Sequence, residues 1–202
     1  MNNILPKSLP AVLVALSSVV TSCVYVPMPP GMPTKYVGPT FARPGSNAAP
    51  DHVSYWNGDG VSGSPSIRIS LSTQRAFFYK SGKLVGVSAI SSGREGLGTV
   101  TGHFNIQEKD RNHKSSLFGD YVDDYGNVVK KEIDTSKDPR PKGAHFDGAK
   151  MPFFMRVTGG TGMHEGYLPG YPASHGCIRM PARMAEAFYN NVSVGTPVTI
   201  TN

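Results

Sequence analysis

Glycine and proline account for about one residue in five of this 202-residue chain, with 23 glycines and 17 prolines. Because both residues interrupt regular helices, this content excludes a helical bundle or a coiled coil and favours strands joined by turns. Apolar residues make up 39% of the chain, which is enough to form a packed core. The net charge is +6, but the basic residues are scattered, which argues against a nucleic-acid-binding surface.

The N-terminal residues have the pattern of an export signal. Lys7 precedes an apolar run from Leu9 to Val20, which is too short to span a bilayer and has the length of a signal-peptide core. The run ends in Val20-Thr21-Ser22-Cys23, which resembles a bacterial lipobox. This resemblance implies a signal peptide over residues 1–22, a lipid on Cys23, and a protein held at the periplasmic face of a bacterial membrane. The alternative is an ordinary secretory signal in which Cys23 is incidental.

Residues 23–63 are predicted to be an extended tether between that lipid and a catalytic domain over residues 64–202. Seven prolines fall between residues 24 and 50, with no acidic residue and little aliphatic mass. Because such a segment cannot bury a core, its backbone is expected to stay extended and solvated. The chain is therefore expected to contain one folded domain.

The pattern within residues 64–202 predicts a mainly β domain. Apolar residues from Ile67 to Leu71 alternate with polar ones, which is the period of a strand. Two apolar-rich runs flank Ser81-Gly82 and predict a β-hairpin. Further strands are predicted in three places: residues 104–107, 152–158 and 197–201.

One C-terminal helix is predicted, and one long segment has no clear period. Pro181 is well suited to open the helix, and Met184, Phe188 and Val192 follow at four-residue steps that give one apolar face. Residues Glu108–Lys150 are polar and rich in turns. They are interpreted as a long excursion over the active-site face or as a partly mobile flap.

Cys177 is the other cysteine of the chain, and it lies close to two histidines. If Cys23 carries lipid, Cys177 has no intramolecular partner, which is unusual for a thiol in an oxidising compartment. Nucleophilic catalysis is the leading reason to keep such a thiol. His164 and His175 lie thirteen and two residues upstream, and Gly176 permits a tight turn whose N–H groups form an oxyanion hole. Two alternatives are a metal site made of these three side chains and a buried, inert cysteine.

The run Ser174-His175-Gly176-Cys177-Ile178-Arg179, with a histidine upstream, resembles the signature of the L,D-transpeptidases, the family of YkuD-type catalytic domains. Less specific matches in the family's order extend the resemblance over residues 65–202: Ile67–Leu71, Gln74–Ile90, Ser91-Ser92-Gly93, Thr101–Phe104 and Gly195–Val198. The resemblance implies a β-sandwich-like catalytic domain that acts on peptidoglycan stem peptides without a metal or another cofactor.

The resemblance also implies roles for individual residues. Cys177 matches the nucleophile, which attacks the carbonyl group between the third residue of the stem peptide and D-Ala. His164 matches the general base and acid, and the carbonyl group of Glu165 would orient its ring. His175, Gly176 and the Cys177 amide match the oxyanion region. Arg179 matches a substrate-binding arginine of the family. Ser174, Tyr167 and Tyr171 are further candidates for substrate binding.

Several alternatives remain open from the sequence. An amine of a second stem peptide would resolve the thioester to give a 3→3 cross-link, whereas water would make the protein an L,D-carboxypeptidase. A third possibility is a non-catalytic wall-binding lipoprotein, although the intact His164 and Cys177 pair argues against it. Arg179 could instead pair with a surface carboxylate, and the two tyrosines could be core or turn aromatics. The oligomeric state stays open.

Overall fold

The computed structural model describes residues 51–202. The predicted signal peptide, Cys23 and the predicted tether up to residue 50 lie outside the described residues. In chain order the described elements are β1 (Tyr55–Trp56), β2 (Pro65–Ser70), β3 (Arg75–Lys80), β4 (Lys83–Ala89), β5 (Gly102–Asn105), β6 (Glu108–Asp110), β7 (Lys114–Val122), β8 (Val128–Asp134), β9 (His145–Lys150), β10 (Phe154–Thr158), β11 (Thr161–Glu165), β12 (Ile178–Met180), α1 (Ala182–Asn191) and β13 (Pro197–Thr201).

Two sheets and the helix share the main core. The six-stranded sheet has the order β1-β4-β3-β2-β13-β5, and the four-stranded sheet has the order β12-β11-β10-β6. Apolar side chains from both sheets and from α1 form one buried cluster, which removes their surface from water. The predicted fold class, mainly β and sandwich-like with one C-terminal helix, is confirmed for the described part of the chain.

The local sequence signals produce the expected elements. Strands β3 and β4 form the predicted hairpin, and its turn residues Ser81 and Gly82 both have positive φ angles, 46° and 78°. Helix α1 begins directly after Pro181, and Met184 and Phe188 are buried on its inner face. At ten residues, α1 is too short to cross a membrane, and no other helix within residues 51–202 is long and apolar enough to do so.

The folded region starts upstream of Ser64. Strand β1 pairs with β4, with Trp56 opposite Gly86, and the Trp56 ring packs 5.1 Å from Phe78 and 6.0 Å from Phe188. A Cβ atom at Gly86 would lie 2.6 Å from that ring, so glycine is required for the contact. This corrects the assignment of residues 51–63 to the tether. Since β1 has two residues, it has no period that a sequence pattern could show.

Residues 114–150 form a third sheet, with the order β8-β7-β9. A turn over Asp123–Asn127 joins β7 to β8, with a hydrogen bond of 2.9 Å from the Asp123 N–H to the Asn127 carbonyl oxygen. Most side chains of β8 are exposed, so the strand lacks the apolar alternation that predicts strands. Phe118 of β7 stacks on His175, with 4.4 Å between the ring centroids. The third sheet therefore contacts the active-site turn, as one interpretation of this segment expected.

Candidate active site

The pairing of β11 with β12 brings His164 and Cys177 together. The strands are parallel, and Met163 pairs with Ile178; both side chains are fully buried in the core. Because side chains alternate along a strand, His164 projects from the opposite face of β11, and Cys177, one residue before Ile178, projects from the same face of the sheet. Continuing the register by one residue places Cys177 beside Gly162. The structure thus brings the predicted pair to one face of two adjacent strands.

His164 is held in one tautomer. Its Nδ1–H donates a hydrogen bond of 2.6 Å to the carbonyl oxygen of Glu165, the acceptor expected from the sequence. In the neutral ring this leaves Nε2 unprotonated and able to accept a proton. Burial lowers the pKa of His164 to about 4; the bond to Glu165 opposes this shift, and the positive charges of Arg179 and His113 add to it. The imidazole is therefore neutral at pH 7.

Cys177 is partly exposed. Its thiol lies 3.5 Å from the carbonyl oxygen of Gly160, to which the S–H group donates. Burial raises the pKa of Cys177, while the N–H group of Gly162 and the positive charges of Arg179 and Arg156 lower it. With a neutral imidazole and a raised thiol pKa, the resting pair is a thiol beside a base and not a preformed ion pair.

Ser174 organises the turn that precedes Cys177. Its hydroxyl group donates to the Cys177 carbonyl oxygen and accepts a hydrogen bond of 3.1 Å from the Gly176 N–H. The side chain is 1% exposed, so it is not accessible to a substrate. This corrects the prediction that Ser174 binds substrate. It also removes the Gly176 N–H from the predicted oxyanion donors, whereas the Cys177 N–H donates to no residue within 51–202.

Glycine is required at position 176, and its carbonyl group is held by Thr99, a residue that was not singled out from the sequence. Gly176 has φ +114°, a conformation that other residues rarely adopt. The buried hydroxyl of Thr99 donates to the Gly176 carbonyl oxygen and accepts from the Gly93 N–H, both at 2.9 Å. Thr99 lies 77 residues upstream of Gly176. No local pattern could have indicated this contact.

The loop after β4 supports the same turn through its backbone. Ser91 and Arg179 exchange two hydrogen bonds of 3.0 Å, and the Arg94 N–H donates to the Ser174 carbonyl oxygen at 3.0 Å. The Gln74 amide group makes two bonds to Ser92, of 2.7 and 2.9 Å. The Ser91-Ser92-Gly93 run was a weak signal in the sequence, and the structure shows that it ties the first sheet to the active-site turn.

His175 is not available as the base. Its exposed ring stacks on Phe118, and its Nε2 accepts a hydrogen bond of 3.0 Å from the Arg94 guanidinium. Burial lowers the pKa of His175, and the charges of Arg94 and Arg179 lower it further. Because the basic nitrogen of His175 is already occupied, His164 is the histidine that can accept the thiol proton. No group of three or more metal-binding side chains within residues 51–202 is arranged to hold a metal ion.

Arg179 follows Cys177 by two residues and pairs with His164 in the strand register. It is partly buried, yet no carboxylate of residues 51–202 forms a salt bridge with it. Residues 1–50 contain no Asp or Glu. The alternative of a surface ion pair for Arg179 therefore has no partner in the described part of the chain. Tyr167 and Tyr171 are both exposed on the loop between β11 and the turn, so they do not contribute to the core.

Two side chains behind His164 were not singled out from the sequence. Phe154 is the neighbour of His164 in the antiparallel β10–β11 register, and their ring centroids lie 6.3 Å apart. His113 stacks on Phe154 at 4.1 Å, and its Nδ1 lies 3.1 Å from a carboxylate oxygen of Asp110. Phe154 is fully buried, so its ring contributes to the burial of the His164 imidazole.

Residues 64–200 match the YkuD family, the L,D-transpeptidase catalytic domain. The chain belongs to this family. The match covers Cys177, His164 and the residues of the turn that supports Cys177. No curated protein sequence matches this L,D-transpeptidase domain protein.

Solved structures show the same fold. LdtMt1, an L,D-transpeptidase solved in complex with imipenem, is 19% identical with a TM-score of 0.51, over 68% of this chain and 59% of its own. The L,D-transpeptidase of Mycobacterium smegmatis is also 19% identical, with a TM-score of 0.51, over 69% and 59%. The Enterococcus faecium enzyme, in a cysteine-to-serine variant, is 23% identical with a TM-score of 0.50, over 69% and 50%. The chain thus spans between a half and three fifths of these three structures.

Proposed function

We propose that the protein is a peptidoglycan L,D-transpeptidase with Cys177 as its nucleophile and His164 as its general base and acid. The observation that carries the proposal is the placement of both side chains on one face of the β11–β12 pair. The bond from His164 to the Glu165 carbonyl oxygen leaves Nε2 as the nitrogen that accepts a proton. A nucleophile, a base and an orienting group form the arrangement that acyl transfer requires.

In the first half of the reaction, His164 Nε2 takes the thiol proton while the sulfur attacks the carbonyl carbon between the third stem residue and D-Ala. A carbon–sulfur bond forms, and the carbonyl oxygen becomes an oxyanion. The Cys177 N–H is placed to donate to that oxyanion. The intermediate then collapses, the carbon–nitrogen bond breaks, and His164 returns the proton to the departing amine of D-Ala. The product is a thioester on Cys177.

In the second half, an amine of another stem peptide attacks the thioester. His164 takes a proton from this amine, the carbon–sulfur bond breaks, and the proton returns to the sulfur. The new amide is a 3→3 cross-link. Because both resting groups are neutral, proton transfer accompanies the attack, and the charge of Arg179 favours the thiolate as it develops.

Arg179 is proposed to bind a carboxylate of the stem peptide. It is a partly buried guanidinium without a carboxylate partner in the described part of the chain, and a planar guanidinium binds carboxylates through two parallel hydrogen bonds. The exposed rings of Tyr167 and Tyr171 are proposed to line the groove beside it. His175 is proposed to support the oxyanion region through its backbone, since Phe118 and Arg94 engage its ring.

Export and lipid anchoring form a second part of the proposal. Residues 1–22 would be removed, and a lipid on Cys23 would hold the enzyme at the periplasmic face of the membrane through a proline-rich tether ending near residue 50. The wild-type protein is expected in the membrane fraction, and the Cys23→Ser variant in the soluble fraction. If both proteins partition identically, the anchor at Cys23 is refuted, while the catalytic proposal is unaffected.

The catalytic proposal is tested with a disaccharide-tetrapeptide donor and mass spectrometry of the products. Cross-linked dimers lacking one D-Ala are expected from the wild type, and no product is expected from Cys177→Ala. Tripeptide without dimer would show that water is the acceptor and would replace the proposal with L,D-carboxypeptidase activity. An unchanged donor would refute both activities. Since LdtMt1 was solved with imipenem, an imipenem adduct on the Cys177 peptide is a second expected result.

A further inference from the structure

Arg156 lies in the same cross-strand row as the nucleophile. Its partners in the strand register are Glu108 of β6 and Gly162 of β11, and Gly162 is the residue beside Cys177. Paired residues project to the same face of a sheet, so Glu108, Arg156 and Cys177 share the face that carries His164. Gly162 contributes no side chain between the guanidinium and the thiol.

Three contacts fix the Arg156 side chain. Its Nε donates a hydrogen bond of 2.6 Å to the Glu108 carboxylate, and its Nη1 donates one of 2.8 Å to the Gly159 carbonyl oxygen. The guanidinium also lies over the Phe154 ring, 5.0 Å from its centroid. A planar group with bonds in two directions and a ring beneath it has little freedom to move. Arg156 therefore ties the turn between β10 and β11 to β6 and β10.

That turn is the one that the thiol contacts. Gly159 accepts the bond from Arg156, and the next residue, Gly160, accepts the S–H of Cys177 at 3.5 Å. Gly159 has φ +50°, a conformation that favours glycine, and its carbonyl group is held by Arg156. A shift of this turn would move the acceptor of the resting thiol.

The charges around the sulfur act in the same direction. Arg156 of β10 and Arg179 of β12 both favour the thiolate. The same face also carries His164 of β11 and Asp110 of β6, the register partner of Phe154. Glu108 of β6 pairs with Arg156 on the side away from Cys177 and offsets part of its charge. Arg156 is thus the charged residue that both holds the turn and acts on the sulfur.

We propose that Arg156 is a positioning residue for Cys177, acting through the Gly159–Gly160 turn and through its positive charge. Within residues 51–202 its side-chain hydrogen bonds go to Glu108 and Gly159 and not to the sulfur, and no contact with the substrate is proposed. The inference rests on Cys177 being the nucleophile of the proposed function. Its test does not depend on stem peptides, because the ionisation of a thiol can be followed by alkylation alone.

The experiment measures iodoacetamide alkylation of the full chain between about pH 6 and pH 11. Mass spectrometry of the Cys177 peptide gives the rate, so Cys23 does not interfere. Arg156→Gln is expected to shift the midpoint of the profile upward and to slow alkylation at pH 7 about tenfold, the change that one pKa unit produces. Arg156→Lys keeps the charge but cannot hold both partners, so an intermediate rate is expected.

Arg111→Gln is the matched control. Arg111 also lies over a phenylalanine ring, at 5.1 Å from Phe153, and also pairs with a glutamate, Glu186 at 3.7 Å. It makes no contact with the Gly159–Gly160 turn among its hydrogen bonds. Its profile is expected to match the wild type.

A wild-type profile for Arg156→Gln, or equal shifts for Arg156→Gln and Arg111→Gln, would overturn the inference. If Arg156→Gln does not fold, a wild-type profile for Arg156→Lys would overturn it equally. A graded shift in a protein that leaves stem peptides unchanged would refute the transpeptidase proposal and support the role of Arg156. Product formation by the wild type, together with an unchanged alkylation profile in Arg156→Gln, would support the transpeptidase proposal and refute the role of Arg156.

Discussion

Acidification should destabilise the protein through His164 in particular. The ring is buried, and burial lowers its pKa to about 4 from the ordinary 6.5. In the unfolded chain the imidazole takes up a proton as the pH falls below about 6.5, whereas the folded protein resists protonation until about pH 4. Stability is therefore full above pH 6.5 and is lost as the pH falls toward 4.

The size of the loss follows from the two pKa values. Between pH 7 and pH 4, a single site with these values reduces the free energy of unfolding by about 3 kcal/mol, and about two thirds of this is already lost at pH 5. His164→Asn removes the titration but keeps a side-chain N–H that can donate to the Glu165 carbonyl oxygen. The acidic residues are the same in both proteins, so their effects cancel in the comparison.

Urea unfolding at several pH values measures both proteins. The chain has one tryptophan, and Trp56 is buried against Phe78, so its fluorescence reports unfolding. From pH 7 to pH 4, the wild type should lose about 3 kcal/mol more than His164→Asn. Equal losses would show that His164 titrates normally. This result would refute a His164 ring whose pKa is lowered by burial, and with it the resting pair of a thiol and a neutral imidazole.

Three further predictions concern the supports of the site and the start of the domain. Thr99→Val leaves the Gly176 carbonyl oxygen and the Gly93 N–H without their partner, and it should cost about 2–3 kcal/mol in urea unfolding and slow acylation by imipenem. Thr99→Ser keeps the hydroxyl group and should resemble the wild type. Trp56→Ala should cost about 3–5 kcal/mol by circular dichroism, against less than about 0.5 for Tyr125→Ala, which alters a 92% exposed ring. Gly162→Ala would place a Cβ 2.4 Å from a phenylalanine ring and should cost about 1–3 kcal/mol in urea unfolding; a neutral change would contradict this close packing.

The elements that the sequence predicts well are those specified by neighbouring residues. The hairpin depends on Ser81-Gly82, and the helix depends on Pro181 and on apolar steps such as Met184 to Phe188. The Cys177 turn lies within one contiguous run, so its residues were found together. In each case the interacting groups are close in the chain, and local patterns contain the information.

The elements that the sequence does not predict depend on distant partners. Strand β1 is held by Trp56, whose contacts lie in β3 and α1. The third sheet has strands with exposed side chains on both faces, so no hydrophobic period marks them. Thr99 supports the turn across 77 residues. Ser174 was assigned to the substrate because a family signature shows that a residue matters but not which atoms its hydroxyl group contacts.

The parallel pairing of β11 with β12 has a consequence for how this domain can diversify. The register of the two strands, and not the segment that connects them, sets the relative positions of His164 and Cys177. Residues 167–170 can therefore change in length or charge while these two side chains stay in register. New binding preferences can arise in this loop without any change in the strand pair.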